Sequence, residues 1–189
     1  MVLNKLENAF KEFGFSESDV SEISACFNSK TYKNGDFFLR SGQLGEYIGF
    51  IESGIFQFYV ETDSSEITTY IAFPNDFILS IQCVYANKTS KENIKALINS
   101  SVWIIRKKDF DRLVESLNGF KEFYIKVLEK LLTCLDESRF DYITLKPEER
   151  YTKLIKEEPD LLQKIPLKYL SALIGVTPRH LSRIRNNIH

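Results

Sequence analysis

The stretch from Ile165 to His189 constrains this chain more than any other, because Gly175 divides it into two short runs with apolar residues at helical spacing. In the first run Leu167, Leu170, Ala172 and Leu173 form an apolar stripe, and Ala172 is small enough to allow close approach. Gly175 follows where a helix must stop and where the backbone needs the left-handed region, which glycine enters cheaply. Thr177 is placed to cap the next run, and Pro178 takes its first helical position, where a missing N–H costs nothing. Leu181, Ile184 and Ile188 recur at helical spacing and are expected to face inward, which leaves Arg179, Ser182, Arg183 and Asn186 outside. Two helices joined in this way have the pattern of a helix-turn-helix. In that motif the N-terminal part of the second helix meets base edges, and arginine pairs with guanine through two parallel hydrogen bonds.

Two amphipathic helices around a glycine also occur in ordinary helical domains, with solvated arginines on the outer face. Charge distribution favours the nucleic-acid alternative. From Leu161 to the end there are five Lys or Arg and no Asp or Glu, whereas residues 1–145 hold 16 basic against 21 acidic residues. The formal net charge of −1 thus hides a basic tip on an acidic body. Such a tip supplies the sequence-independent phosphate attraction on which specific contacts build.

A chain of 189 residues can bury one large core or two small ones. Its 43% hydrophobic and 27% charged content are those of a soluble globular protein. No apolar run approaches the roughly 20 residues of a bilayer span, and the N-terminus lacks the apolar centre of a signal peptide. Three cysteines, Cys26, Cys83 and Cys134, lie far apart and point to a reducing cytoplasm instead of a disulfide framework. The two histidines, His180 and His189, both fall at the basic end, so no metal or haem centre is expected elsewhere.

Residues 4–30 read as helical, with Leu6, Phe10, Phe13, Val20, Ile23 and Phe27 at helical intervals, a break at Gly14, and Ser16 or Ser18 as a cap. From Thr31 the pattern changes to short apolar or aromatic segments punctuated by glycine at positions 35, 42, 45, 49 and 54. These segments are Phe37–Leu39, Tyr47–Ile51, Ile55–Val60, Ile67–Phe73, Phe77–Ile81, Ile94–Ile98 and Val102–Ile105, with a hairpin turn over 61–66. Strands this short and evenly spaced predict a β-sandwich or jelly roll, not a parallel sheet.

After Asp109 the period lengthens to that of a helix. Phe120, Tyr124, Val127, Leu131 and Cys134 follow the alternating four-three spacing of a coiled-coil seam and predict a dimer helix. Phe123, Leu128, Leu132 and Leu135 form an adjoining stripe expected to lie against the roll. A core helix within one chain is the alternative, since about two heptads are fewer than a coiled coil usually shows. Lys146-Pro147 marks a hinge, and Glu148–Glu158 opens a second, helical domain. The fold class is therefore α+β. Residues 1–115 form an antiparallel β-jelly roll with N-terminal helices, 116–145 the dimerisation helix and hinge, and 146–189 the helix-turn-helix domain.

This order resembles the bacterial Crp/Fnr superfamily of transcription regulators, whose roll is cyclic-nucleotide-binding-like. The resemblance rests on Lys33-Asn34-Gly35-Asp36 through Ser41-Gly42, and on Tyr47-Ile48-Gly49-Phe50-Ile51-Glu52-Ser53-Gly54. It rests too on Glu149-Arg150-Tyr151-Thr152-Lys153-Leu154-Ile155 and on Ile165–Ile188, which are similar to a subgroup common in Bacteroidetes-type bacteria. The resemblance implies that Thr177 caps the recognition helix and touches phosphate. Pro178, Arg179 and Arg183 would take base-facing positions, with Arg183 foremost, His180 and Arg185 would lie nearer the backbone, and Ser182 would complete the DNA-binding set. The implied partners are double-stranded DNA, a second copy of the chain, RNA polymerase and an unidentified small-molecule effector, with no membrane.

Departures from the family pattern bear on that effector. Members that bind cyclic AMP hold its phosphate with a Gly-Glu pair and, further on, an Arg-Ser pair. Here Leu79 and Ser80 follow Asn75-Asp76-Phe77-Ile78 in place of the first pair, and Ser90 and Lys91 stand at the second. Leucine blocks the backbone approach that glycine permits, and Lys88, Lys91 or Lys95 offers only a point charge where arginine would pair twice. No physiological cyclic-nucleotide binding is expected, and no cofactor. The iron–sulfur branch needs several ligating cysteines and the haem branch a placed axial histidine; neither set is found. The helix-turn-helix lacks an evident wing, the β-hairpin that many relatives add after the second helix.

Two other functional classes stay open at this point. The roll could be a ligand- or protein-binding module whose terminal helices only close the fold, without DNA binding. A cupin-type enzyme shares the jelly-roll class, but its metal site needs clustered histidines and residues 1–179 contain none. No acid–base or nucleophile constellation converges on a catalytic motif, so no enzyme and no catalytic residue is assigned.

Overall fold

The computed structural model describes residues 4–63, 65–157 and 165–188. They divide into two compact units, Met1–Lys126 and Val127–His189.

The first unit opens with α1 (Lys5–Phe13) and α2 (Glu17–Ala25). Each starts in a capping box: the Glu7 N–H donates to Asn4 Oδ1 at 2.8 Å, and the Asp19 N–H to Ser16 Oγ at 3.2 Å. Gly14 stops α1 in the left-handed region, at φ 110°. The helical reading of residues 4–30 fails at its end, because Asn28–Tyr32 is a strand, β1. Its backbone pairs with the last strand of the roll, Asn28 opposite Ile104 and Tyr32 opposite Ser100, and that long-range ladder overrides local preference.

The strands β2 (Phe37–Leu39), β3 (Tyr47–Ser53), β4 (Phe56–Glu61), β5 (Glu66–Ala72), β6 (Phe77–Ile78), β7 (Asn93–Ala96) and β8 (Ser100–Arg106) complete the roll. They form two antiparallel four-stranded sheets, in the orders β1-β8-β3-β6 and β2-β7-β4-β5. The segment expected as one strand over Phe77–Ile81 splits. Only Phe77 and Ile78 pair with β3, and Ile81 begins a short helix, α3 (Ile81–Ala86). Ser80 accepts the Val84 N–H there at 2.9 Å, which turns the chain into a helix.

The roll interior is a continuous apolar cluster of Tyr32, Leu39, Ile51, Phe56, Phe58, Ala72, Ile78, Cys83, Ile94, Ala96 and Val102. Packing around Gly49 leaves no space for a side chain: a Cβ would stand 2.8 Å from both Ile78 Cγ1 and Val102 Cγ1.

Helix α4 (Lys107–Ser116) follows β8, and α5 (Phe120–Thr144) starts after Gly119. The root of α5 is fixed by an aromatic knot. Phe10 packs edge-on against Phe123 at 5.1 Å between ring centroids, and Phe110 against Phe120 at 5.3 Å. This corrects the faces expected of α5. Phe120, expected in an intermolecular seam, is fully buried in its own unit, and Tyr124 packs on Phe110 and donates its hydroxyl to Tyr85 at 2.8 Å. Of the stripe expected against the roll only Phe123 is buried; Leu132 and Leu135 are exposed. Val127 and Leu131 are half-buried and Cys134 is exposed.

The second unit contains the rest of α5, then α6 (Pro147–Glu157), α7 (Leu167–Ile174) and α8 (Pro178–Ile188). Its small core is built from Tyr151, Ile165, Leu170, Ile174, Leu181 and Ile184. The buried face of α7 is Leu170, Ser171 and Ile174, whereas Leu167, Ala172 and Leu173 are half-buried. The expected stripe was therefore rotated, since Ile174 and not Leu173 follows Leu170 inward at the i+4 position. The end of the span Glu148–Glu158 and the inward packing expected of Ile188 fall outside the described residues, as does His189. Among the described residues, no helix is long and apolar enough to cross a membrane.

Candidate nucleic-acid interface

Helix α8 owes its start to local chemistry at the preceding corner. Gly175 ends α7 at φ 77°, and its N–H bonds to Ala172 O at 3.0 Å, while the Val176 N–H reaches back to Ser171 O at 2.9 Å. These are the backbone bonds of a Schellman-type stop. Thr177 then does what its position predicts. Its carbonyl accepts the Leu181 N–H at 3.0 Å and its Oγ1 accepts the His180 N–H at 3.2 Å. Pro178 is the first helical residue.

Burial divides α8 into two faces. Leu181 and Ile184 are buried, while Arg179, Arg183, Arg185 and Asn186 are exposed. Arg179, Arg183 and Asn186 stand four and three residues apart, which aligns them along one side of the helix. Among the described residues none of Arg179, Arg183 and Arg185 forms an ion pair, so their guanidinium groups are available to an outside anion. Ser182 is half-buried and donates its hydroxyl to Pro178 O at 3.1 Å. His180 is half-buried with Nε2 3.7 Å from Glu148 Oε1, an ion pair when the imidazole is protonated.

Two residues missed by the sequence reading hold this corner in place. Tyr142, near the end of α5, donates its hydroxyl to Leu173 O at 2.7 Å and lies 3.3 Å from Ala172 O. Arg150, on α6, donates Nε–H to Ile174 O at 3.0 Å and Nη1–H to Leu145 O at 2.6 Å. Its guanidinium lies 4.8 Å from the centre of the Tyr142 ring. Burial raises the Tyr142 phenol above its usual pKa against the opposing pull of Arg150. The signal that points to such residues is the unpaired carbonyl end of α7, which must find donors somewhere.

In the roll, the residues aligned with a nucleotide site lie between β6 and α3 and in the loop before β7. Leu79 is half-buried, and Ser80 and Ser90 are buried. Ser90 donates its hydroxyl to Glu92 O at 2.7 Å and its N–H to Gln43 O at 2.9 Å, so both donors are engaged. Lys91 and Lys88 are exposed, and Lys95 pairs with Glu66 at 3.3 Å while lying over the Tyr59 ring. An open surface cavity of about 380 Å³ is lined instead by Lys30, Thr31, Asp36, Phe37 and Arg40, among others, and by none of these aligned residues.

With this geometry in hand, comparison with known proteins places the chain. The cyclic nucleotide-binding domain family matches residues 29–116. No curated protein matches the chain in sequence. Among solved structures, a CooA variant from Carboxydothermus hydrogenoformans is similar over 99% of this chain and 84% of its own, at 17% identity and a TM-score of 0.72. The c-di-GMP-responsive global regulator CLP of Xanthomonas campestris is similar over 92% of this chain and 91% of its own, at 14% identity and a TM-score of 0.70. FixK2 of Bradyrhizobium japonicum is similar over 86% of this chain and 84% of its own, at 12% identity and a TM-score of 0.73. Residues 29–116 accordingly match the cyclic nucleotide-binding domain family, and the chain has the fold of the Crp/Fnr transcription regulators.

Proposed function

We propose that this protein is a sequence-specific, DNA-binding transcription regulator of the Crp/Fnr type that acts in the cytoplasm as a dimer, without catalysing a reaction. The observation that carries the reading is the outer face of α8, where Arg179 and Arg183 are exposed and, among the described residues, without an ion pair. A helix capped by Thr177 and opened by Pro178 presents its N-terminal residues to the major groove, where Arg183 reads guanine and Arg179 supports it. His180, Ser182 and Arg185 lie closer to the phosphates, and the positive end of the α8 dipole at Thr177 favours a phosphate.

Dimerisation is assigned to α5, but through the apolar residues that face outward, among them Ile125, Leu132, Leu135 and Ile143. A two-fold pair of α8 helices then reads a near-palindromic site with half-sites about one DNA turn apart. Leu79, Ser80, Ser90 and Lys91 support a regulator insensitive to cyclic AMP, because no arginine or glycine stands where the phosphate would be held. An effector of other chemistry and RNA polymerase are the remaining partners in this reading.

Selection from random duplex DNA, followed by binding titrations at several salt concentrations, tests the proposal. A recovered two-fold motif bound at least about a thousandfold more tightly than scrambled DNA is expected. Recovery of no motif, with only weak salt-sensitive binding, would leave the roll as a module without a DNA-reading role.

A further inference from the structure

We propose that Tyr142 and Arg150 are positioning residues for DNA reading, holding the corner from which α8 departs without touching DNA themselves. This inference rests on the DNA-reading assignment above. A helix leaves its last carbonyls unpaired, and the two backbone bonds at Gly175 and Val176 satisfy only Ala172 and Ser171. The carbonyls of Leu173 and Ile174 are left over, and each is taken by a side chain from a different helix: Leu173 O by Tyr142 and Ile174 O by Arg150. Thr177 caps α8 only a few residues later, so the direction of these carbonyls fixes the direction in which α8 sets out.

The three participants constrain one another. Arg150 also holds Leu145 O, which ties the end of α5 to the same guanidinium, and stacks on the Tyr142 ring. Gly175 lies against that ring so closely that a Cβ would stand 2.7 Å from Tyr142 Cε1. Arginine suits this place because its planar fork serves two carbonyls at fixed angles while its face stacks on an aromatic ring; lysine does neither. The reading corner is therefore clamped to the end of α5, the helix assigned to dimerisation.

A group that merely stabilised the fold would, on removal, lower the folded fraction and weaken all DNA binding alike. A positioning group misaims Arg179 and Arg183 and erodes discrimination while phosphate attraction persists. The test uses the full chain with Tyr142→Phe, which removes one oxygen, and Arg150→Lys, which keeps the charge. Each is titrated against the selected duplex and a scrambled duplex across a salt series, at a temperature where circular dichroism shows native helicity.

The expected result is a three- to tenfold fall in the ratio of specific to non-specific affinity for each variant, with a non-specific affinity and salt slope within twofold of wild type. An unchanged ratio in Tyr142→Phe, with wild type binding selectively, overturns the positioning role and leaves the DNA-reading assignment standing. Should Arg150→Lys fail to fold, Tyr142→Phe decides alone. Absence of selective binding by wild type overturns the DNA-reading assignment and this inference with it.

Discussion

The ring of Tyr142 occupies the space into which any side chain at Gly175 would project, with Cε1 2.7 Å from the position of an added Cβ. Gly175 also sits at φ 77°, a conformation that costs an L-residue about 1–2 kcal/mol. Two separate penalties therefore fall on Gly175→Ala. It is expected to destabilise the Val127–His189 unit by about 1–3 kcal/mol. In a Tyr142→Ala background the added cost of Gly175→Ala falls toward the backbone strain alone, about 1–2 kcal/mol. A denaturant double-mutant cycle followed by backbone helicity measures the difference.

The corner itself was legible in the sequence, because glycine, threonine and proline each act within a few residues of where they stand. Gly175, Thr177 and Pro178 took the places their chemistry predicts. Most roll strands were legible too, through short apolar runs between glycines, and β2 falls on the expected Phe37–Leu39. What escaped depends on distant partners. Asn28–Tyr32 shows no alternation, with all but Tyr32 exposed, and becomes a strand only because β8 offers a free edge. Tyr142 and Arg150 carry no periodic signal, and their role appears only when α5, α6 and α7 meet. The two stripes of α5 are similarly apolar, so periodicity did not decide which turned inward; Phe10, Phe110 and Phe123 around Phe120 did.

That inward turn separates two kinds of substitution on one helix. Phe120 is fully buried, and Phe120→Ala is expected to cost about 3–5 kcal/mol of stability through lost burial and the cavity left behind. Leu132 is 66% exposed, and Leu132→Glu is expected to leave the stability of a single chain within about 0.5 kcal/mol of wild type. The same substitution places like charges in the assigned dimer face and shifts sedimentation from dimer to monomer. Denaturant melts at matched concentration and analytical ultracentrifugation separate the two effects. Dimers that persist in Leu132→Glu contradict the α5 assignment.

The roll interior bears on regulation. Tyr32, Phe56, Phe58 and their neighbours fill it, Ser90 spends its donors on Glu92 and Gln43, and Lys95 is already paired with Glu66. Isothermal titration with cyclic AMP or cyclic GMP is expected to give no saturable heat up to about millimolar ligand, a level that bounds the interaction at roughly 4 kcal/mol. Micromolar or tighter binding of either nucleotide contradicts the silent-site reading.

Arg183 gives the most direct measurement of whether α8 reads bases. It is exposed, one turn beyond Arg179, and without an ion pair among the described residues. Binding of wild type, Arg183→Ala and Arg185→Ala is compared on the selected duplex and on duplexes altered one base pair at a time. Arg183→Ala is expected to lose about 1–3 kcal/mol and to stop discriminating at one position of each half-site. Arg185→Ala should weaken all duplexes about equally and lower the salt slope by about 1 per subunit. Arg183→Ala with wild-type affinity and wild-type discrimination at every position would contradict the assignment of α8 as the reading helix.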